Sequence, residues 1–233
     1  MRWKIVVFVV LAAGVGLTAI SCIDESPTKP AVPPVYFPLN PGTQWTYQVV
    51  LNDSTGFWMT ALREEPVVVL GDTVWALDYI DDGRIAQTQY VDMQDGLVYL
   101  TGARAVFFAD TIVEVYEPPL RLSPEGHGPG ETWSSVGTSI SLKITSAVPP
   151  DTIRTEGSFT WMGRVLAEER IEVPAFDEPL NALLVEYVGE WDPWASPGAP
   201  QYTWFVEDIG PVRRIELYMG RTVSNLSEFI QGK

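Results

Sequence analysis

Side chains able to carry a reaction are scarce in this chain of 233 residues. One cysteine, Cys22, and one histidine, His127, leave no intramolecular disulfide, no cysteine-built zinc site and almost no Ser-His or transition-metal chemistry. His127 lies in the run Gly126-His127-Gly128-Pro129-Gly130, with no G-x-S-x-G elbow anywhere in the chain, which predicts an exposed loop position rather than a general base. Asp78, Asp81 and Asp82 gather around a turn where calcium could find oxygen ligands. Their D-x-x-D-D-G spacing, however, lacks the alternating ligands and closing Glu of an EF-hand loop, and an Asp-Gly hairpin turn accounts for it. Glu64-Glu65 and Glu168-Glu169 have the composition of a glycosidase acid and base. Adjacent strand residues point to opposite faces, so neither pair can flank one bond. No P-loop or G-x-G-x-x-G occurs. The most suggestive patch is Trp191-Asp192-Pro193-Trp194, two indoles in a proline-bounded loop that either plug one end of the core or offer a surface to a ligand or partner.

The elements that would position these residues repeat with period two. In Thr43–Leu51, Trp45, Tyr47, Val49 and Leu51 point one way and Gln44, Thr46 and Gln48 the other, the pattern of a half-buried antiparallel strand. The same alternation recurs at Trp75, Leu77 and Tyr79; at Ile140, Leu142 and Ile144; at Phe159 and Trp161; and at Tyr202, Trp204 and Val206. Turn signals at Asn52–Gly56, Gly71-Asp72, Asp81–Gly83, Gln94–Gly96, Pro149–Asp151 and Pro197-Gly198 divide roughly ten to twelve strands, enough that a sheet must curl or close. Arg164–Glu172 reads as a strand, and Thr222–Lys233 as a short helix or a frayed tail. Phe57-Trp58-Met59 and Val106-Phe107-Phe108 put bulk on both strand faces, which fits either a sandwich or a sheet with a lined concave side.

With 46% hydrophobic, 12% aromatic and 19% charged residues, the chain can build one sizeable core. Its 15 basic and 30 acidic side chains give a formal charge of −15, which repels the phosphate backbone and excludes nucleic acid as a partner. Residues 1-21 read as a signal peptide, with Arg2 and Lys4 ahead of an uncharged run from Ile5 to Ile20 that is short for a spanning helix. Residues 22-35, rich in proline, read as a semi-extended tether, and 36-233 as one β-rich globular domain.

Two resemblances add to this. Thr18-Ala19-Ile20-Ser21-Cys22 resembles the lipobox of bacterial lipoproteins, with Ala19 where Leu is commonest. The resemblance implies cleavage before Cys22 and acylation of Cys22, and Ile23 rather than Asp after it implies the outer membrane. Such cleavage would remove Arg2 and Lys4 and no acid, taking the charge from −15 to −17, so membrane contact is expected through acyl chains and not through a basic face. Second, three phrases resemble those of uncharacterised β-rich bacterial lipoproteins: an F-P-L-x-x-G-x-x-W-x-Y opening at Phe37, Pro38, Leu39, Gly42, Trp45 and Tyr47; a V-P-A hairpin at Val173-Pro174-Ala175 followed by Ala182, Leu183 and Val185; and a closing Y-x-W-F…G-x-V hairpin at Tyr202, Trp204, Phe205, Gly210 and Val212. The glycine usual after V-P-A is absent here, Phe176 following directly. This resemblance implies a large antiparallel sheet, curved like the half-barrels of lipoprotein carriers, and no assigned reaction.

The expectation is therefore a mainly β protein built on a single large curved antiparallel sheet, with half-barrel, barrel-like and sandwich forms open. It is expected to be an exported, lipid-anchored envelope protein facing the periplasm, not an enzyme, without cofactor or metal, acting as a binding or interaction module. The alternatives are a carrier for a lipid or other apolar ligand and an envelope-polymer hydrolase using carboxylates.

Overall fold

The period-two pattern becomes thirteen antiparallel strands among the residues that the computed structural model describes, which are 34–51, 54–107, 109–147, 149–192, 199–217 and 221–232. The signal segment, Cys22 and Trp194 lie outside them. The first four strands are β1 (Gln44–Leu51), β2 (Ser54–Leu62), β3 (Val67–Val69) and β4 (Asp72–Asp81). Long hairpins follow in β5 (Arg84–Gln94), β6 (Leu97–Phe107), β7 (Asp110–Arg121), β8 (Thr132–Ile144), β9 (Thr152–Ile171) and β10 (Leu180–Asp192). The chain ends in β11 (Gln201–Val206), β12 (Gly210–Glu216) and β13 (Thr222–Ile230).

From β4 to β13 each strand pairs with the next; β13 then pairs with β1, β1 with β2, and β2 with β4. Twelve strands thus close into a barrel, and β3 is a short flap paired to β4. Of the forms left open by the sequence, closure prevails because each of the twelve strands finds a neighbour on both sides, which removes the long exposed edges an open sheet would present. Register shifts at Thr46/Tyr47, Tyr79/Ile80, Tyr90/Val91 and Leu184/Val185 supply the local bends that a closed sheet needs. Two predicted turns take the left-handed conformation at both central residues, Asp82-Gly83 (φ 47° and 70°) and Asp95-Gly96 (φ 53° and 81°), which matches the twist of the strands they join.

The C-terminal segment corrects the sequence reading. Residues 222–230 form neither helix nor tail but the closing strand, with Trp45 opposite Phe229 and Tyr47 opposite Leu226. Ser224 and Leu226 are its buried residues, the register shift at Thr46/Tyr47 breaks the side-chain alternation, and pairing to β1 and β12 holds the strand. A second correction concerns Ile140, Leu142 and Ile144, which alternate as expected but on the outer wall. Their neighbours Ser139 and Ser141 pair with Tyr116 and Glu114, while Gly137 pairs with buried Phe159, so small residues make the inner face of β8.

One end of the barrel is packed. Trp45, Leu77, Val91, Val98, Leu120, Val165, Val185, Val212 and Leu226 form its core, and the chain enters there through a plug at Tyr36–Leu39. Phe37 inserts edge-on against Trp45 (5.7 Å) and near Phe205 (6.4 Å), and Trp45 Nε1 donates to the Ile209 carbonyl at 2.6 Å. Exposed charges on the outer wall, Arg104, Arg154, Glu156 and Arg164, do not fit the apolar band of a lipid-facing barrel.

Candidate functional site

Each sequence candidate among the described residues takes a definite place. His127 is 73% exposed at the tip of the Ser123–Glu131 loop, its Nε2 2.7 Å from Glu125 Oε2. The loop is held from beneath by Glu131, whose carboxylate accepts the backbone N–H of Glu125 (2.8 Å), Gly126 (3.2 Å) and His127 (3.2 Å) and pairs with Arg121. Arg121 also lies 4.3 Å over the Trp133 ring, and its carbonyl accepts from Trp133 Nε1 (3.1 Å) and Trp161 Nε1 (3.0 Å). His127 therefore belongs to a structural cap over the packed end.

The acids separate in the same way. Asp78 is not a turn residue: it is buried within β4, clamped bidentately by Arg63 at 2.8 and 3.0 Å and by Thr88 Oγ1 at 2.7 Å. Asp81 and Asp82 make the exposed hairpin turn. Glu64 and Glu65 sit in a bend after β2 instead of on a strand, both exposed. Glu168 and Glu169 occupy successive positions of β9, and Glu169 accepts from Trp204 Nε1 at 2.9 Å. These candidates are not brought together, and Arg63, Thr88 and Trp204 account for Asp78 and Glu169.

Trp191 is likewise corrected. It belongs to β10, not to a loop, because its backbone pairs with Phe159 of β9. Tyr187 stacks on Trp161 at 5.2 Å and 18°, and Trp161 meets Trp191 at 6.1 Å, so the three rings ascend the inner wall toward the end away from the plug. Two glycines make this possible. A Cβ on Gly189 would lie 2.2 Å from the Trp191 ring, and one on Gly163 would lie 2.2 Å from the Trp133 ring.

Across the barrel, at that same unplugged end, is a site the sequence did not single out. Val49, Leu51, Ser54, Gly56, Phe57, Trp58, Tyr79, Ile80, Asp81 and Gln87 are among the residues lining a cleft of about 430 Å³ between the tips of the β1–β2 and β4–β5 hairpins. Phe57 stands 61% exposed on its rim. Its floor is aromatic: Trp58 meets Tyr79 edge-on at 5.5 Å and Tyr47 at 6.1 Å. The volume is that of a small-molecule site. Tyr47 is fully buried below, its phenol donating to the Pro211 carbonyl at 2.7 Å, and burial holds it protonated well above the usual tyrosine range. The one signal in the sequence was the run Phe57-Trp58-Met59, with bulk on both faces.

No protein-family model matches the chain, and no curated protein is similar to it in sequence. Two solved structures are similar in fold. A Bacteroides fragilis protein described as exported and with a YmcC-like fold aligns over 85% of this chain and 100% of its own, at 12% identity and a TM-score of 0.51. A Parabacteroides distasonis protein described as a lipoprotein aligns over 84% of this chain and 99% of its own, at 13% identity and a TM-score of 0.50. At such identity the likeness is one of fold, and it extends over the whole of both neighbours.

Proposed function

We propose that this chain is a lipid-anchored envelope protein whose barrel is a non-catalytic binding module for a small apolar or amphipathic molecule, taken up at the unplugged end. The observation that carries this reading is the asymmetry of the barrel. One end is filled by Phe37, Leu39 and the core beneath them, while the other holds an open cleft of about 430 Å³ with apolar walls and an aromatic floor. Barrels of about eight strands are just filled by their own side chains, so a ring of twelve has room to spare unless it is flattened. Trp191 and Trp161 on the facing wall are the rings against which a guest would stack.

The anchor rests on the lipobox at Cys22, and the two fold neighbours, one described as exported and one as a lipoprotein, support an envelope setting. Replacing Cys22→Ser should move the protein from the membrane to the soluble fraction; unchanged retention would count against acylation. The binding role is tested by native mass spectrometry of the full chain, extracted from its membrane in a mild detergent. A discrete added mass, beyond the acyl groups and removed by organic extraction, is the expected result. A clean apo mass across preparations from lipid-rich cells would overturn the carrier form and turn attention to protein partners.

A further inference from the structure

The cleft is apolar, yet an arginine stands below it. Arg214 lies on β12 between Thr203 of β11 and Ser224 of β13; Ser224 in turn pairs with Val49, which puts Arg214 on the inner face. Its side chain is 20% exposed, and because the plug fills the opposite end, solvent reaches it from the cleft side. Among the described residues the one carboxylate within 4 Å is that of Glu216, at 3.6 Å and itself 38% exposed. That separation is too long for a hydrogen bond, and a half-solvated pair offsets little of the cost of bringing in a guanidinium that is charged at every working pH.

A second observation is independent of the first. The indole N–H of Trp58 is buried and has no partner. The phenols around it give their protons elsewhere, Tyr47 to the Pro211 carbonyl and Tyr79 to Gln89 Oε1 at 2.9 Å, and the Tyr79 oxygen faces Arg214. Trp58, Tyr79, Tyr47, Ser224 and Arg214 share a void of about 10 Å³, room for a single water or a single ligand oxygen. Trp58 and Tyr79 line both this void and the cleft, so one continues beneath the other. A buried donor left unpaired is costly and calls for an acceptor, and a guanidinium beside it favours an anionic one.

We propose that Arg214 and the Trp58 indole N–H seat one oxygen of an anionic head group, a carboxylate or a phosphate, whose alkyl chain lies in the cleft. This inference rests on the reading of the cleft as an apolar binding site, and names the ligand class for it. In a chain of net charge −15 an anion is repelled by most of the surface, so an inward-facing arginine gives the site its selectivity.

Isothermal titration of the full chain with decanoate, decyl phosphate and uncharged decanol, each below its micellar concentration, separates the two ideas. The seat predicts that at least one anionic ligand binds about 10- to 100-fold more tightly than decanol, that Arg214→Met removes this difference, and that Trp58→Phe weakens the anion about fivefold. Tighter binding of decyl phosphate than of decanoate assigns a phosphate head; the reverse order assigns a carboxylate. Equal affinity for decanol and both anions overturns the seat, leaves the cleft standing and assigns the void to water. No binding of any of the three overturns both. The comparison of head groups on the unaltered chain needs no variant, so it decides the matter even if Arg214→Met fails to fold.

Discussion

Glu131→Gln should loosen the packed end of the barrel more than any other single charge change in the cap. The Glu131 side chain is 6% exposed and its Arg121 partner 11%, so the pair is largely out of water. Removing one partner of a buried pair typically costs about 3–5 kcal/mol. Glutamine keeps one carbonyl oxygen for the backbone N–H groups of Glu125, Gly126 and His127, and Arg121 keeps Glu125 at 3.0 Å and the Ser123 carbonyl at 2.9 Å, which places the cost at the low end, about 3 kcal/mol. With a urea slope of about 2–3 kcal/mol per molar for a domain of this size, the unfolding midpoint read by tryptophan fluorescence should fall by roughly 1–1.5 M. Glu125→Gln is the control: Glu125 is far more exposed, and its loss should move the midpoint by well under half as much. Equal small shifts in both variants would refute the reasoning, since they would mean that Arg121 is solvated and that Glu131 does not organise the loop.

Two further outcomes follow from the interior. Gly163→Ala sets a methyl against the Trp133 ring, which cannot swing aside while its Nε1 donates to the Arg121 carbonyl and its face holds the Arg121 guanidinium; an overpacking cost of about 1–3 kcal/mol should lower the calorimetric Tm by roughly 3–10 °C, and an unchanged Tm would mean that the ring is free to move. Stability should also fall steeply in alkali. Burial raises the phenols of Tyr47, Tyr116 and Tyr187, with the Glu114 carboxylate adding to the effect at Tyr116. Above about pH 10 the unfolded chain gives up these three protons and the folded chain keeps them, so the unfolded state binds fewer protons and stability drops by as much as about 1.4 kcal/mol per pH unit for each tyrosine. Denaturant titrations at pH 9, 10 and 11 measure the slope; a flat profile would show that these phenols ionise in place.

Much of the barrel was legible because its signals are local. Strand alternation at Trp45 and Tyr47, and the Asp-Gly pairs at the β4–β5 and β5–β6 turns, depend on residues a few positions apart. Closure was not legible, since it is decided by which distant edges pair. The ring is completed by β13 against β1 and by β2 reaching across β3 to β4. Neither contact leaves a local trace, and in β13 the register shift against Thr46 and Tyr47 spaces Leu226 and Phe229 three apart, so the period of two is lost. The small inner residues of β8 mislead in the opposite sense: Ile140 and Leu142 look like core, but the barrel places Ser139 and Ser141 inside, where they leave space.

The same distinction explains why the aromatic pair at Trp191 and Trp194 stood out in the sequence while Arg214 did not. Two tryptophans three positions apart announce themselves by composition, whereas one arginine in Arg213-Arg214 says nothing of its surroundings. On a strand these neighbours must face opposite ways. Arg213 turns outward to Asn225 Oδ1 at 2.7 Å and to the Glu172 carbonyl at 2.6 Å, which gives it an ordinary surface role. Arg214 is thereby committed to the interior, and the β1–β13 register then brings it under Trp58, a residue from the other end of the chain. A single-residue slip of β12 against β13 would exchange the two arginines, filling the interior with the one that has partners outside and exposing the one that has few. The irregularity opposite Trp204 and Phe205 leaves Val212 of β12 as the extra residue between Pro211 and Arg213, so a backbone bulge close to the void decides which of the two arginines lies beneath the cleft.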